Sequence, residues 1–209
     1  MKNQRRSKTK AWLRDHVDDE FVRLAQKEGY RSRAVYKLKE IDERDRLFRS
    51  GLRVVDLGAA PGGWSQYASE RLGSQSQLLA LDILPMDPIA HVHFIQADFT
   101  EQIALDALNV ALQGKPVDLV ISDMAPNISG IASVDQAKSI YLAELALDFA
   151  SQVLHPGGCL LMKTFQGEGF PQLRESMLKR FDKVISRKPK ASRARSKEIY
   201  LLGKGFKAG

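Results

Sequence analysis

At 209 residues, 44 % hydrophobic and with a net charge of +7, the chain has the size of one ordinary domain with a full core. No apolar run reaches membrane-spanning length, no apolar segment follows the charged N-terminus as in a secretory signal, and the single cysteine, Cys159, cannot form an intrachain disulfide. These features argue against a membrane anchor and a disulfide-stapled secreted fold; a cytoplasmic monomer is expected.

Residues 1–10 read as a disordered basic arm and 11–209 as one domain. Helical periodicity occupies 18–28 and 34–47, the second with Ala34, Val35, Leu38, Ile41 and Leu47 at three-to-four spacing. Strand-like runs follow at 53–57, 77–82, 92–97, 117–122, 158–164, 183–187 and 198–203. Helical segments at 64–72, 101–113, 134–154 and 169–181 separate most of them, with Pro156-Gly157-Gly158 read as the stop of the long one. Strands alternating with helices predict an α/β fold, a mainly parallel seven-stranded doubly wound sheet. No helix divides the last two strands, so an antiparallel hairpin is expected at the end of the sheet.

The charge is unevenly placed. Residues 2–10 carry +5 and 187–197 carry +6 with no acid in either stretch, which leaves the remainder at −4. Basic clusters on a mildly acidic domain point to a polyanionic partner, most simply nucleic acid. Neither cluster has interleaved aromatics, so phosphate contact is expected over base stacking.

Residues 53–64 are the most informative stretch. Val54, Val55 and Leu57 form a buried strand, the chain turns through Gly58, Pro61, Gly62 and Gly63, and a helix opens at Trp64. Strand, glycine turn and helix present a nucleotide-like ligand at the carboxyl edge of a sheet. The turn is neither Gly-x-Gly-x-x-Gly nor a phosphate-cradling loop ending in Gly-Lys-Ser/Thr. Asp56 within it suits a ligand bearing a cationic amino group, such as S-adenosylmethionine, better than a pyrophosphate. The other strand ends extend the pattern. Asp82 can accept from a ribose diol, Asp98 from an adenine amine, and Asp123 and Lys163 end two further strands. From the residues alone, Asp98 could instead cap a helix, Trp64 could be core only, and Lys37 and Glu198 read as a surface ion pair.

Asp-Leu-Gly-Ala-Ala-Pro-Gly-Gly-Trp (56–64), Asp-Met-Ala-Pro-Asn-x-Ser-Gly (123–130), Lys-x-Phe-Gln-Gly-Glu-Gly (163–169) and Ser-Arg-x-Arg-Ser-x-Glu-x-Tyr (192–200) together resemble the FtsJ family. These are S-adenosylmethionine-dependent 2′-O-ribose methyltransferases of large-subunit ribosomal RNA, with a Rossmann-like fold. The resemblance runs from Arg31-Ser32-Arg33 to Tyr200 and implies a uridine in the A loop of 23S ribosomal RNA as target, with S-adenosylhomocysteine as product. It places a catalytic tetrad on Lys37, Asp123, Lys163 and Glu198, and cofactor contacts on Gly62, Trp64, Asp82, Asp98 and Asp123, beside Asp56 and Gly63 of the same turn. Arg31, Arg33, Arg193 and Arg195 are expected to contact RNA, and no metal is implied.

Methyl transfer to a ribose hydroxyl needs positioning and a group that handles the hydroxyl proton. Lys163 is the candidate, with two readings open: a neutral lysine takes the proton, or a charged lysine orients the oxygen lone pair. Rival chemistries fit less well. An amine methyltransferase would carry an aromatic in the turn at Asp123-Met124-Ala125-Pro126, and a pyrimidine carbon methylase would need a cysteine nucleophile where Cys159 does not lie. A non-catalytic RNA-binding factor would have no use for Asp82, Asp98, Asp123 and Lys163.

Overall fold

In the computed structural model, which describes residues 19–193 and 195–207, two helices precede the sheet: α1, Glu20–Glu28, and α2, Val35–Asp45. The arm expected at 1–10 lies outside the described residues. Asp19 starts α1 by accepting the Phe21 amide at 3.0 Å, and Gly29 ends it in the left-handed region. The second helix stops at Asp45, short of the expected 47, because Asp42 pulls the chain out of the helix. Its buried carboxylate accepts the amides of Leu47 and Phe48 at 2.7 and 3.1 Å and the Tyr67 hydroxyl at 2.7 Å.

The alternation then unfolds in order: β1 Arg53–Leu57, α3 Gly63–Leu72, β2 Gln77–Asp82, β3 Val92–Gln96, α4 Gln102–Leu112, β4 Val117–Ser122, α5 Ala132–Val153, β5 Leu154–Phe165, α6 Phe170–Arg180, β6 Phe181–Arg187 and β7 Glu198–Phe206. The seven strands lie in the order β3-β2-β1-β4-β5-β7-β6. β1 pairs in parallel with both β2 and β4, so the strand order reverses between β1 and β4 and the carboxyl ends there flank a crevice. The expected antiparallel hairpin of β6 and β7 is present, but β7 slots between β5 and β6. The antiparallel strand is therefore internal, and its residues 198–202 are buried.

Pro156-Gly157-Gly158 does not end the long helix. That helix stops at Val153, Leu154 is already extended, and the three residues belong to β5, where the register against β4 shifts between Val117 and Leu119. Gly157, at φ +90°, absorbs the irregularity that a side chain would resist. Apolar residues fill both faces of the sheet. Helices α4, α5 and α6 cover one face through Leu108, Leu147 and Met177, while Leu38 of α2 and Trp64, Tyr67 and Leu72 of α3 cover the other.

Candidate active site

At the carboxyl ends of β1 and β2, loop amides continue the pairing: Gly58 donates to the Leu81 carbonyl at 2.9 Å and Asp123 to the Leu57 carbonyl at 3.1 Å. A cavity of about 470 Å³ opens there, lined by Gly58, Ala60, Leu81–Leu84, Asp98, Phe99, Asp123–Asn127 and Leu142. Gly58, at φ +77°, passes so close to Met124 that a Cβ would sit 2.8 Å from that side chain. The lining has three carboxylates, Asp82, Asp98 and Asp123, and no lysine or arginine. Such a surface accepts hydrogen bonds and attracts positive charge, and it disfavours a pyrophosphate. Asp82 is oriented by the Ala60 and Leu84 amides at 2.9 and 2.8 Å, one on each oxygen, which leaves each oxygen a lone-pair direction for a diol. The amide and hydroxyl of Thr100 grip Asp98 and hold its carboxyl below the usual range. It caps no helix, since Glu101 occupies that position on α4.

The remaining residues of the glycine turn stand behind the cavity. Asp56 is fully buried; one oxygen accepts from Ser65 at 2.7 Å and the other has no partner among the described residues. Burial, augmented by the charges of Asp123 and Asp82 and opposed by Ser65, pushes its carboxyl up to about 7. The Trp64 side chain is core: its ring nitrogen donates to the Ala34 carbonyl at 2.8 Å and its ring lies 5.7 Å from that of Tyr200. Gly62, at φ +109°, makes room for the protein itself, because a Cβ would meet Ile89 at 2.8 Å and Met86 at 3.0 Å; a Cβ on Gly63 would meet the Ser32 hydroxyl at 2.7 Å. None of these four side-chain positions lines the cavity.

Lys37, Asp123, Lys163 and Glu198 come together at the cavity's edge as two ion pairs. Lys163 Nζ lies 3.0 Å from Asp123 Oδ1 and also donates to the Asp123 carbonyl. Lys37 Nζ lies 2.8 Å from Glu198 Oε2, with both side chains nearly buried at 12 and 11 % exposure, so the surface ion pair read from the residues is replaced by a pair shielded from solvent. Tyr200 joins the pairs. Its hydroxyl donates to Asp123 Oδ1 at 2.6 Å, Lys37 Nζ lies 5.7 Å from its ring centroid, and it faces Lys163 across β5 and β7. Burial would raise Asp123, but the ammonium groups of Lys163 and Lys37 and the Tyr200 hydroxyl outweigh it and hold the carboxyl below its ordinary range. Tyr200 itself is pushed well above its usual value by burial and then by the adjoining carboxylates. Tyr200 and Ser192, which donates to Glu198 Oε1 at 2.7 Å, stand in the 192–200 motif, which assigns neither a role. The signal for Tyr200 was its spacing: two residues after Glu198 on a strand, it shares the same face.

The basic residues divide. Arg187 is a two-pronged partner of Asp45 at 2.7 and 2.8 Å, and Lys188 donates to the carbonyls of Ser196 and Glu198 at 2.6 and 2.5 Å. Both brace the loop, Arg187 half-buried and Lys188 exposed. Lys190, Arg193, Arg195 and Lys197 are exposed. Arg33 pairs with Asp19 at 3.0 Å and donates to the Ala191 carbonyl at 2.5 Å, and Arg31 donates to the carbonyls of Pro61, Asp87 and Pro88. Both arginines are half-buried and spend their guanidinium groups on partners within the protein.

A mainly parallel sheet whose reversed strand order frames an acidic cavity, with paired lysines and carboxylates at its rim, is the architecture of a group-transfer enzyme with a Rossmann-like fold. The chain matches the FtsJ-like methyltransferase family over residues 30–206 and belongs to it. It is 58 % identical over 205 residues to ribosomal RNA large subunit methyltransferase E of Alkalilimnicola ehrlichii, covering 98 % of each chain. It is 62 % identical over 200 residues to the protein of the same name from Azoarcus sp., covering 95 % of this chain and 98 % of that one. A solved Plasmodium falciparum structure described as a ribosomal RNA methyltransferase superposes with a TM-score of 0.76 at 31 % identity, over 85 % of this chain and 98 % of that one.

Proposed function

We propose that this methyltransferase modifies a ribose 2′-hydroxyl of large-subunit ribosomal RNA, a uridine in the A loop of the 23S molecule, with S-adenosylmethionine as donor. Residues 11–209 act as one catalytic domain, and a monomer works in the cytoplasm. The observation that carries the reading is the Lys163–Asp123 pair at the rim of a cavity lined by carboxylates and free of cationic side chains. Relatives named for large-subunit ribosomal RNA support the substrate.

The cavity fits the donor's chemistry. Asp82 would hold the ribose diol, Asp98 the adenine amine, and Asp123 would face the positive end, while Phe99 and Leu142 offer apolar walls for the base. Gly62 and Trp64 would act through the backbone of the turn, and Asp56 through the floor beneath it. When bound, the donor supplies an electrophilic methyl group on a sulfonium. Lys163, held by Asp123, orients the hydroxyl so that an oxygen lone pair faces that methyl. The charged reading is favoured over the neutral one because a carboxylate 3.0 Å from Nζ stabilises an ammonium. A charged Lys163 cannot accept the hydroxyl proton, which would pass late to solvent water. Lys37 and Glu198 frame the hydroxyl from the other side, with Tyr200 fixing Asp123. Lys190, Arg193, Arg195 and Lys197 hold RNA phosphates.

The test is incubation of labelled donor with protein-free ribosomal RNA, isolated large subunits and whole ribosomes. Label entering large-subunit RNA in any of the three supports the reading; label in none, with the cofactor bound, rejects ribosomal RNA as substrate.

A further inference from the structure

Arg31 lies at the start of the stretch that matches the family, and its half-buried side chain spends its guanidinium on backbone carbonyls of the protein itself. Nη1 donates to the Asp87 carbonyl at 2.6 Å and to the Pro61 carbonyl at 3.3 Å, and Nη2 donates to the Pro88 carbonyl at 2.9 Å. One planar fork thus ties the glycine turn to the segment that leaves β2. That segment begins with Asp82 and continues through Ile83 and Leu84, all three lining the cavity, before it passes over Gly62 at Met86 and Ile89. Ile83 and Leu84 are exposed at 59 and 61 %, so no core packing fixes them. The segment is held by side chains: Ser69 donates to the Ala90 carbonyl at 2.8 Å, Gln96 to the Ile83 carbonyl at 3.2 Å, and Arg31 to the two carbonyls between them. Arg31 is itself fixed, because its backbone amide donates to Gln66 Oε1 of α3 at 2.8 Å.

We infer that Arg31 is a positioning residue of the cofactor pocket: it clamps the 83–91 segment onto the glycine turn and so sets the wall formed by Ile83 and Leu84. The inference rests on the cofactor reading above and moves Arg31 from the RNA surface to the donor site. Removing the fork releases two carbonyls of the segment and one of the turn together. Lysine cannot replace it, since a single ammonium lacks the planar fork that reaches both carbonyls of the segment and Pro61.

The experiment measures S-adenosylhomocysteine affinity by calorimetry, amide hydrogen exchange over 83–91, and RNA affinity against salt, for the full chain and for Arg31→Ala and Arg31→Lys. Arg31→Ala is expected to weaken cofactor affinity by about tenfold or more, the scale of a lost supporting contact, and Arg31→Lys by less. Exchange at 83–91 should speed up, turnover at saturating cofactor should recover, and the salt slope of RNA binding should not change. Unchanged cofactor affinity in Arg31→Ala overturns the inference, and a flattened salt slope alongside it makes Arg31 a phosphate ligand after all. If Arg31→Ala does not fold, unchanged affinity in Arg31→Lys overturns it equally. Failure of the unmodified chain to bind the cofactor would strike the reading beneath, not the clamp.

Discussion

Lys163 and Asp56 are the two residues whose roles separate most cleanly by measurement. Lys163 touches Asp123 and stands outside the cavity lining, so Lys163→Ala should lower turnover by roughly 10²–10⁴, the range for a positioned proton-handling group, with little change in cofactor affinity. Near-normal turnover under saturating substrate would remove Lys163 from the chemistry. Asp56 makes a prediction about stability. Its ordinary value of 3.8 rises in the folded chain to about 7 because of burial, so between these values the folded state binds the proton that the unfolded state has released. Its contribution to stability is therefore present below about 4 and is lost as the pH rises through 7. Asp56→Asn carries no such titration. Urea unfolding at pH 5 and pH 8 should show the variant gaining on the parent protein at the higher pH, by an amount on the order of a few kcal/mol. An equal difference at both pH values would mean that Asp56 titrates normally. Asp56 suits a ligand by its position in the turn, whereas for Trp64 the ligand contact is implied by the family resemblance and the residues alone also allow a core role. The direction of each side chain depends on which face of β1 and α3 packs on the sheet, and a turn motif does not state it.

At the scale of elements, β7 and the loop before it join the proposed catalytic rim to the basic surface. Glu198 and Tyr200 belong to the rim, Ser192 holds Glu198 from within the loop, and Arg193 and Arg195 are exposed on that same loop. Ser192→Ala would leave one oxygen of a buried carboxylate without its donor and should cost about 1–3 kcal/mol in denaturant unfolding, while Ser192→Thr should recover part of it. A loss below a few tenths would mean that water takes over the hydroxyl's place. Replacing Arg193 and Arg195 together by alanine should flatten the log–log salt dependence of RNA or ribosome binding by roughly one to two units and leave cofactor affinity alone. An unaltered slope would make this a solvated loop. Charge density singled out the whole stretch 187–197. It did not distinguish Arg187 and Lys188, which the protein uses to brace itself, because Asp45 and the carbonyls that engage them are distant in sequence or belong to the backbone.

For the molecule as a whole, the sheet and its crevice were legible because strand, turn and helix signals alternate cleanly from Arg53 to Ser122. Legibility failed where backbone pairing overrode local propensity. Pro156-Gly157-Gly158 has the composition of a helix stop, yet partnership with β4 draws those residues into β5. The hairpin of β6 and β7 was expected at the sheet's end, but nothing local says that β7 would pair with β5 and lie inside it. That insertion is what brings Tyr200 opposite Lys163 and completes the rim. The central claim is that this rim directs a methyl group onto a ribose oxygen. The most direct test is alkaline hydrolysis of RNA methylated with labelled donor, because a 2′-O-methyl group blocks attack on the neighbouring phosphodiester. The label is predicted in an alkali-resistant dinucleotide and to enter it roughly 10²–10⁴ times more slowly when Lys163→Ala replaces the parent protein; label released in mononucleotides, on the base, would contradict the account.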